Sequence, residues 1–590
     1  MLRAFATRRS SVAGPLLALL LLAPAFARAA DDAPAAPHDD STWVDHDHQP
    51  IVRPPESEPD HWAQLFHQGF TKPITNAFDI PDKLLWLART LGARTRREAV
   101  NVNAFDEAPN STWFTNRNHL RAVPVSRLRE GPDSTFTPRK PWVIKHAKLG
   151  GYTAGFQIKD ADGKKWLVKL DPRGYAQLSS GADKVSRTLL HAAGYNVPHN
   201  EPVRFRSSDL SIDPELLQGA KGELFTKADL DSTLVKGAVF EDGSYSGYAS
   251  LFIAGHVLGA PDMGRARDGD TNDWYSHTNR RELRGLFAVC AWIGNWDTKD
   301  HQFLDTFVDT RDSLGHVVHY ILDAGASLGA AATGPKQLSS GYENRFDLPW
   351  ISRRIVSLGF VEEPWRRAQQ ASGIASVGNY ESAVYRPEDF RQLVPQPAFR
   401  EMTDRDGYWG AKIVASFSDE QIAAAVHSAH YEDPRATEYL VRNLIVRRDK
   451  IARYWFGRVA PLDFFSVKSG TLRFHDLAVD IGLAGARGYE AAVTARGGPS
   501  GRAERFRLSR TEWSLSSRDL RETHLTLELA VAGSGAKPAR VELERRGARW
   551  VVTRVEHAQP RTGGSRLNLP PPAEPGLTFE NPQPAAAPGR

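Results

Sequence analysis

At 590 residues, with 41% apolar and 25% charged side chains, the chain has ordinary globular usage and length for about two or three cores, which excludes a fibre or a wholly disordered polymer. Its net charge of +5 is the small surplus of 75 basic over 70 acidic residues, so nothing marks a nucleic-acid footprint, which needs Lys and Arg gathered on one face. Cys290 is the single cysteine, and that excludes an intramolecular disulfide.

Residues 1–30 read as an export signal, with a basic start (Arg3, Arg8, Arg9), an apolar run over 12–22 and the small-x-small pattern Ala27-Arg28-Ala29. The run is shorter than the roughly 20 residues of a membrane-spanning helix. Ser10-Ser11 stand where twin-arginine signals continue with an apolar pair, so general secretion is the reading. The mature chain is then expected to be periplasmic or secreted and to carry no transmembrane segment. Residues 31–60, rich in Asp, Pro and Ala, read as a disordered leader. Its His38, Asp39, Asp40, Asp45, His46, Asp47 and His48 read as a solvated linker, because nothing nearby fixes a metal-ligand geometry.

A helical stretch is expected over 81–97, then a polar, aromatic, Pro-broken structured loop over 101–117. Alternating runs over 152–159 and 164–170 flank the turn Asp160-Ala-Asp-Gly163 and predict a hairpin. A helix over 180–193 follows, with Ser179 or Ser180 as N-cap, Val185, Leu189 and Ala192 at helical spacing, and Gly194 as the stop. A strand over 249–253 ends near Gly255. The 280–293 helix places Leu283, Leu286, Phe287 and Cys290 on one face, and helices resume over 419–429 and 434–456. After Pro461, short alternating runs at 472–474, 489–493, 525–529 and 550–555 predict a small antiparallel sandwich of roughly 100 residues, followed by a Pro-rich tail over 561–590.

The chemistry concentrates in Asn295-Trp-Asp-Thr-Lys-Asp-His-Gln302 and Leu322-Asp-Ala-Gly325. Strand-like runs at 303–308 and 316–322, joined by a turn over 309–315, lie between them. One loop enters this hairpin and the other leaves it, so Asp297 and Asp323 are expected side by side. Paired carboxylates suit a divalent metal and a hydroxyl to be deprotonated.

Asp297-x-Lys299-x-x-Gln302 resembles the protein-kinase catalytic loop Asp-x-Lys-x-x-Asn, and Asp323-Ala-Gly325 resembles Asp-Phe-Gly, as in the atypical HipA-like and CotH-like kinases. Trp166-Leu-Val-Lys169 resembles the strand whose lysine meets the nucleotide phosphates, and Asp183 stands where such folds carry the lysine-partnering glutamate. Gly150-Gly151-Tyr-Thr-Ala-Gly155 resembles the loop over the phosphates, and Phe252-Ile-Ala-Gly-His256 the hinge beside adenine. The resemblance covers roughly residues 145–460. It implies an α+β fold with a bilobal protein-kinase-like core and a C-terminal antiparallel β domain. The expected divisions are 61–255 for the N-terminal region and N-lobe, 256–460 for the C-lobe and 461–560 for the β-sandwich-like domain, with the region before 145 packing across the nucleotide lobe.

It further implies ATP with Mg²⁺ or Mn²⁺ as cofactors. Lys169, Asp183, Gly151 and Gly155 would hold the nucleotide, and Gln302 and Asp323 the metal. Asp297 would orient or deprotonate the acceptor, and Lys299 would steady the transferred phosphate. Gln302 replaces the usual asparagine, Asn295-Trp296 the usual His-Arg pair, Ala324 the phenylalanine, and Asp183 is one methylene short of glutamate.

Three functions compete. The leading one is an exported atypical kinase or nucleotidyl transferase acting on a protein or cell-envelope acceptor. The second is an inactive kinase-shaped binding protein of the envelope. The third is a metal-dependent hydrolase built on Asp297, Asp300, His301 and Asp323, ranked last because Lys299 inside that cluster would repel a second cation. A serine hydrolase is set aside for want of a Gly-x-Ser-x-Gly elbow.

Overall fold

Alternation of buried and exposed side chains shapes the first sheet. Along Gly155–Lys159 and Lys165–Leu170 the residues Phe156, Ile158, Trp166, Val168 and Leu170 are buried in one cluster with Trp142, Ile144, Phe205, Leu230 and Leu234. With a side-chain period of two, Lys169 stands on the opposite face from Val168 and Leu170. Six strands lie in the order Asn200–Phe205, Tyr245–Leu251, Lys165–Leu170, Gly155–Lys159, Trp142–Ala147 and Leu210–Ile212. Every junction is antiparallel except the last, which is parallel. The computed structural model from which this is read describes residues 43–57, 96–131, 136–147, 152–218, 223–311, 313–345, 348–361, 365, 372–495, 503–515 and 522–558. The export signal, nearly all of the 81–97 helix, Gly151 and the Pro-rich tail lie outside the described residues.

The helix Leu178–Ala193 is buried at every position but His191. Its N-terminus differs from expectation: Ser179 and Ser180 are inside the helix and not its cap. Asp171, fully buried just past the end of the Lys165–Leu170 strand, accepts the Ser179 and Ser180 N–H groups on Oδ1 at 2.7 and 2.8 Å. Its Oδ2 accepts the hydroxyls of Ser180 and Ser246 at 2.6 and 2.7 Å. A carboxylate from the preceding strand therefore satisfies the orphan donors that a helix's own N-cap normally would.

From the Tyr245–Leu251 strand the chain crosses residues 252–255 into a second sheet, ordered Ile51–Val52, Leu314–Ile321, Phe303–Arg311 and His256–Gly259, antiparallel throughout. Gly255 is required at this crossing: its φ is +97°, and a Cβ there would meet Phe307 O at 2.5 Å. The hairpin Phe303–Arg311/Leu314–Ile321 buries Val317, His319 and Ile321 on alternate positions.

The main core cluster joins the Leu178–Ala193 helix to Arg281–Ile293, Asp404–Ala415, Asp419–His427 and Pro434–Phe456. Arg281–Ile293 and Asp404–Ala415 touch backbone to backbone, because a Cβ on Gly410 would come within 2.3 Å of Gly285 O. Past residue 460 come a three-stranded and a five-stranded antiparallel sheet around a core of their own, including Leu462, Phe474, Leu527 and Val541. The fold is α+β, with a core of two antiparallel-dominated sheets and a helical cluster, then an antiparallel β domain.

Two expectations are corrected. Residues 43–57 are no solvated linker: Ile51 and Val52 pair with Gly315 and Leu314, and the buried Asp47 accepts the Thr112 N–H and hydroxyl, each at 2.8 Å. The described residues 96–131 fasten mainly to the helical core, not across the first sheet. Asp106 pairs with Arg281 and Arg405, Glu107 with Lys412, and Asn118 with Gln421. In both segments, partners distant in the chain take up the polar side chains, which burial requires.

Candidate active site in the interlobe cleft

The loop that carries Asp297 begins where Gly294 stops the Arg281–Ile293 helix in the left-handed conformation, φ +66°. Asn295, buried, then turns the chain by donating its N–H to Cys290 O at 2.9 Å and offering its side-chain oxygen to the Asp297 N–H at 3.4 Å. A short turn of 3₁₀ helix, Asp300–Gln302, leads into the hairpin. At the hairpin's open end Phe303 pairs with Ile321, and the Leu322 N–H donates to Gln302 O at 2.8 Å. That pairing brings Asp297, Gln302 and Asp323 to one place.

Asp323 is anchored from both lobes. Its Oδ1 accepts the Gly325 N–H at 3.2 Å, and its Oδ2 meets Lys169 Nζ at 3.2 Å across 154 residues of sequence. Ala324, where kinases usually have phenylalanine, is packed in the main core. Ser327 shares a hydrogen with Ser186 of the Leu178–Ala193 helix at 2.6 Å, and Leu328 N–H donates to Ile293 O at 2.9 Å. The Asp323 turn is thus clasped between two helices.

Lys169 is presented by the central strand of the first sheet, with Gly155 directly opposite. Gly155 is needed there because a Cβ would lie 2.2 Å from Val168 O, so its part is to let the strands close behind Lys169. Lys169 also lies 5.4 Å from the centre of the buried Tyr248 ring. Among the described residues it pairs with Asp323 and not with Asp183, the partner implied by the kinase resemblance. The Asp183 side chain, one methylene shorter than glutamate, accepts instead from Asn200 Nδ2 at 2.9 Å.

The electrostatics join the four groups nonetheless. Burial pushes Asp183 up to about 6; Arg187 and the Asn200 hydrogen bond oppose this, Asp323 adds to it, and Lys169 opposes it. Burial likewise raises Asp297, against the pull of Lys299 and Gln302 and with the push of Asp323. Asp297 Oδ2 accepts from Gln302 Nε2 at 3.3 Å and pairs with Lys299 Nζ at 3.2 Å. Asp297 Oδ1 and Asp183 Oδ1 are buried and have no hydrogen-bond partner.

Three carboxylates face two lysines, and two carboxylate oxygens are left without donors. That donor set fits a hard divalent cation with oxygen ligands. Asp323, Asp297 Oδ1 and, after an amide flip, Gln302 would hold it. Asp300 and His301, offered for a hydrolytic metal centre, sit on the 3₁₀ turn. Among the described residues no group of three or more His, Cys, Asp or Glu side chains is placed to bind a metal.

Sequence reasoning missed Asp171, which fixes the start of the Asp183 helix, together with Asn200 and Tyr248. Asp171 directly after an alternating strand and seven residues before a helix was the available signal. Asn200 and Tyr248 left none.

No protein-family model and no curated relative matches this chain. Solved structures similar to it include a proinflammatory kinase, CtkA, of Helicobacter pylori, at 9% identity over 54% of this chain and 97% of that one, with a TM-score of 0.27. A Golgi casein kinase aligns at 14% identity over 56% of this chain and 73% of that one, TM-score 0.28. The Golgi casein kinase with Mn/ADP bound aligns at 13% identity over 56% and 74%, TM-score 0.26. Similarity this low leaves the functional case to the cleft's own geometry.

Proposed function

We propose that the cleft binds ATP with Mg²⁺ or Mn²⁺ and transfers a phosphoryl or nucleotidyl group to a protein or cell-envelope acceptor outside the cytoplasm. The observation that carries this reading is the meeting of Lys169 from the first sheet with Asp323 from the second, beside Asp297. Phosphoryl transfer depends on positioning and charge neutralisation more than on covalent help, and this set supplies both.

A divalent cation, when bound, would neutralise phosphate charge. Lys169 would hold the nucleotide's phosphates from the sheet side. Asp297, its affinity for a proton raised by burial, suits the removal of a proton from an acceptor hydroxyl, which needs a base with some basicity left. Lys299, paired to Asp297, stands ready to neutralise the moving group. Residues 252–255, which join the two sheets, would face the base. Export rests on the signal-like residues 1–30.

The test uses the purified full-length chain with Mg²⁺ or Mn²⁺ and ATP labelled at either the γ- or the α-phosphate. Transfer of the γ label identifies a kinase, and of the α label a nucleotidyl transferase. No transfer of either label to the chain or to envelope extracts, together with no ADP binding by calorimetry, rejects the reading. A kinase-shaped binding protein is favoured by one observation, that Lys169 already occupies the carboxylate a metal would need. That alternative requires melting temperatures indifferent to Mn²⁺ and ADP.

A further inference from the structure

Three residues before Asp297, Gly294 forms one wall of a cavity also lined by Lys336, Tyr342, Trp365, Glu381 and Arg447. Three residues of chain span at most about 11 Å, so this wall of the cavity lies near the Asp297 loop. It offers about 30 Å³ for the centres of water-sized groups, room for two of them.

Two cations converge here. Lys336 is 8% exposed, and one of its three N–H bonds goes to Ser340 O at 2.6 Å. Arg447 is held by Ala291 O at 2.7 Å and by the Tyr385 ring, 3.7 Å from ring centre to guanidinium carbon, while its buried Nε has no partner. Among the described residues the one carboxylate lining the cavity is Glu381, and both its oxygens are engaged. Oε1 accepts the Tyr342 hydroxyl at 3.1 Å and Oε2 the Val384 N–H at 2.9 Å. Tyr342 and Trp365 stack with ring centres 5.0 Å apart and cover one side. Arg447 also donates to Glu381 O at 3.3 Å; among the described residues two buried cations still face one carboxylate, and their remaining N–H groups leave a place for one more negative group.

We propose that this cavity is an acceptor subsite that takes a carboxylate group, with its two oxygens between Lys336 and Arg447. The word acceptor rests on the phosphotransfer reading; the binding of an anion does not. Burial, with Arg447 adding to it and Glu381 opposing, brings Lys336 down to about 7. Titration of Lys336 therefore governs affinity near neutrality. A site competent only when Lys336 is charged should bind about tenfold more weakly at pH 8 than at pH 6.

Calorimetry on the full chain with acetate and, separately, with sulfate tests this, since both probes keep a constant charge between pH 6 and pH 8. Saturable binding that weakens about tenfold over that range, and is lost with a flat pH profile in Lys336→Met, is expected. Acetate is expected to bind more tightly than sulfate, the larger control; sulfate binding as tightly as acetate overturns the assignment. No saturable binding of acetate at pH 6 overturns the proposal, as does undiminished binding in Lys336→Met. Should that variant fail to fold, a wild-type affinity that does not change with pH overturns it equally. ADP binding to the wild type is scored separately, so failure of the anion site and failure of the nucleotide site are told apart.

Discussion

Asp183→Asn should make the protein more stable at pH 8 and worse at binding nucleotide. Asp183 is 1% exposed, and burial pushes its carboxyl from 3.8 up to about 6. The unfolded chain gives up this proton near pH 4 and the native chain only near pH 6. Between those values the native state holds more protons, so native stability falls as pH rises through the window and is level above it. The full gap is worth about 3 kcal/mol. Asparagine is a near-isostere of the protonated acid and carries no proton to lose. The variant should match wild type near pH 4 and exceed it by up to about 3 kcal/mol above pH 7, or roughly 2–4 °C in Tm per kcal/mol for a cooperative unit of 150–250 residues. Thermal melts from pH 4 to pH 8 read this directly. Charge on Asp183 acts on Asp323 and Lys169 from behind the groups that would hold the cation, so Mn²⁺–ADP affinity should fall about tenfold, the usual scale for losing such a supporting group. A variant less stable than wild type at pH 8, or offset equally at pH 4 and pH 8, would refute the reasoning.

Lys169→Met should abolish label transfer and weaken ADP at least about tenfold. It should move Tm little, because the Lys169–Asp323 pair is partly exposed and such pairs contribute about 0–1 kcal/mol. Lys412→Met is the converse case, far from the cleft. Lys412 is buried between Glu107 and Asp463, 2.7 Å from the latter, and links residues 101–107 and the helical core to the β domain. Removing it takes from two buried carboxylates the lysine they share, a loss of about 3–5 kcal/mol, and limited proteolysis should then separate the β domain from the core.

What was legible in the sequence followed from local rules. A hairpin closes by antiparallel pairing, so the residues entering and leaving it must meet; this is why Asp297 and Asp323 could be placed together from spacing alone. The helix Pro434–Phe456 has the bounds expected from the sequence. The Lys169–Asp323 contact was not legible from spacing, since 154 residues separate the pair and only the packing of two sheets joins them. Residues 43–57 were misread for a related reason. The segment looks solvated until Thr112 takes up the Asp47 carboxylate, and Asn272 and Arg267 donate to the Gln49 and Pro55 carbonyls. The cap on the Leu178–Ala193 helix was assigned to the nearest serine, whereas a buried carboxylate in the preceding connection reaches it first. The cavity between Lys336 and Arg447 left no motif, for it is built by a loop and a helix that meet only in the folded core.

The Lys169–Asp323 pair sets how the cleft must load. A divalent cation arriving alone at Asp323 competes with Lys169 for Oδ2, and Lys169 would then lose the one anionic partner it has among the described residues. A nucleotide arriving alone brings phosphates next to Asp183, Asp297 and Asp323, three carboxylates against two lysines. Together they exchange partners, the cation taking Asp323 and the phosphates taking Lys169, and no charge is stranded. Metal and nucleotide should accordingly bind with positive coupling, each tightening the other by the same factor, on the order of 5–150-fold. Calorimetric titration of Mn²⁺ with and without saturating ADP measures that factor, and Lys169→Met should reduce it, because the exchange then has no lysine to release. Equal Mn²⁺ affinity with and without ADP would mean that the ion pair is a fixed strut between the lobes and not a latch that ligands open.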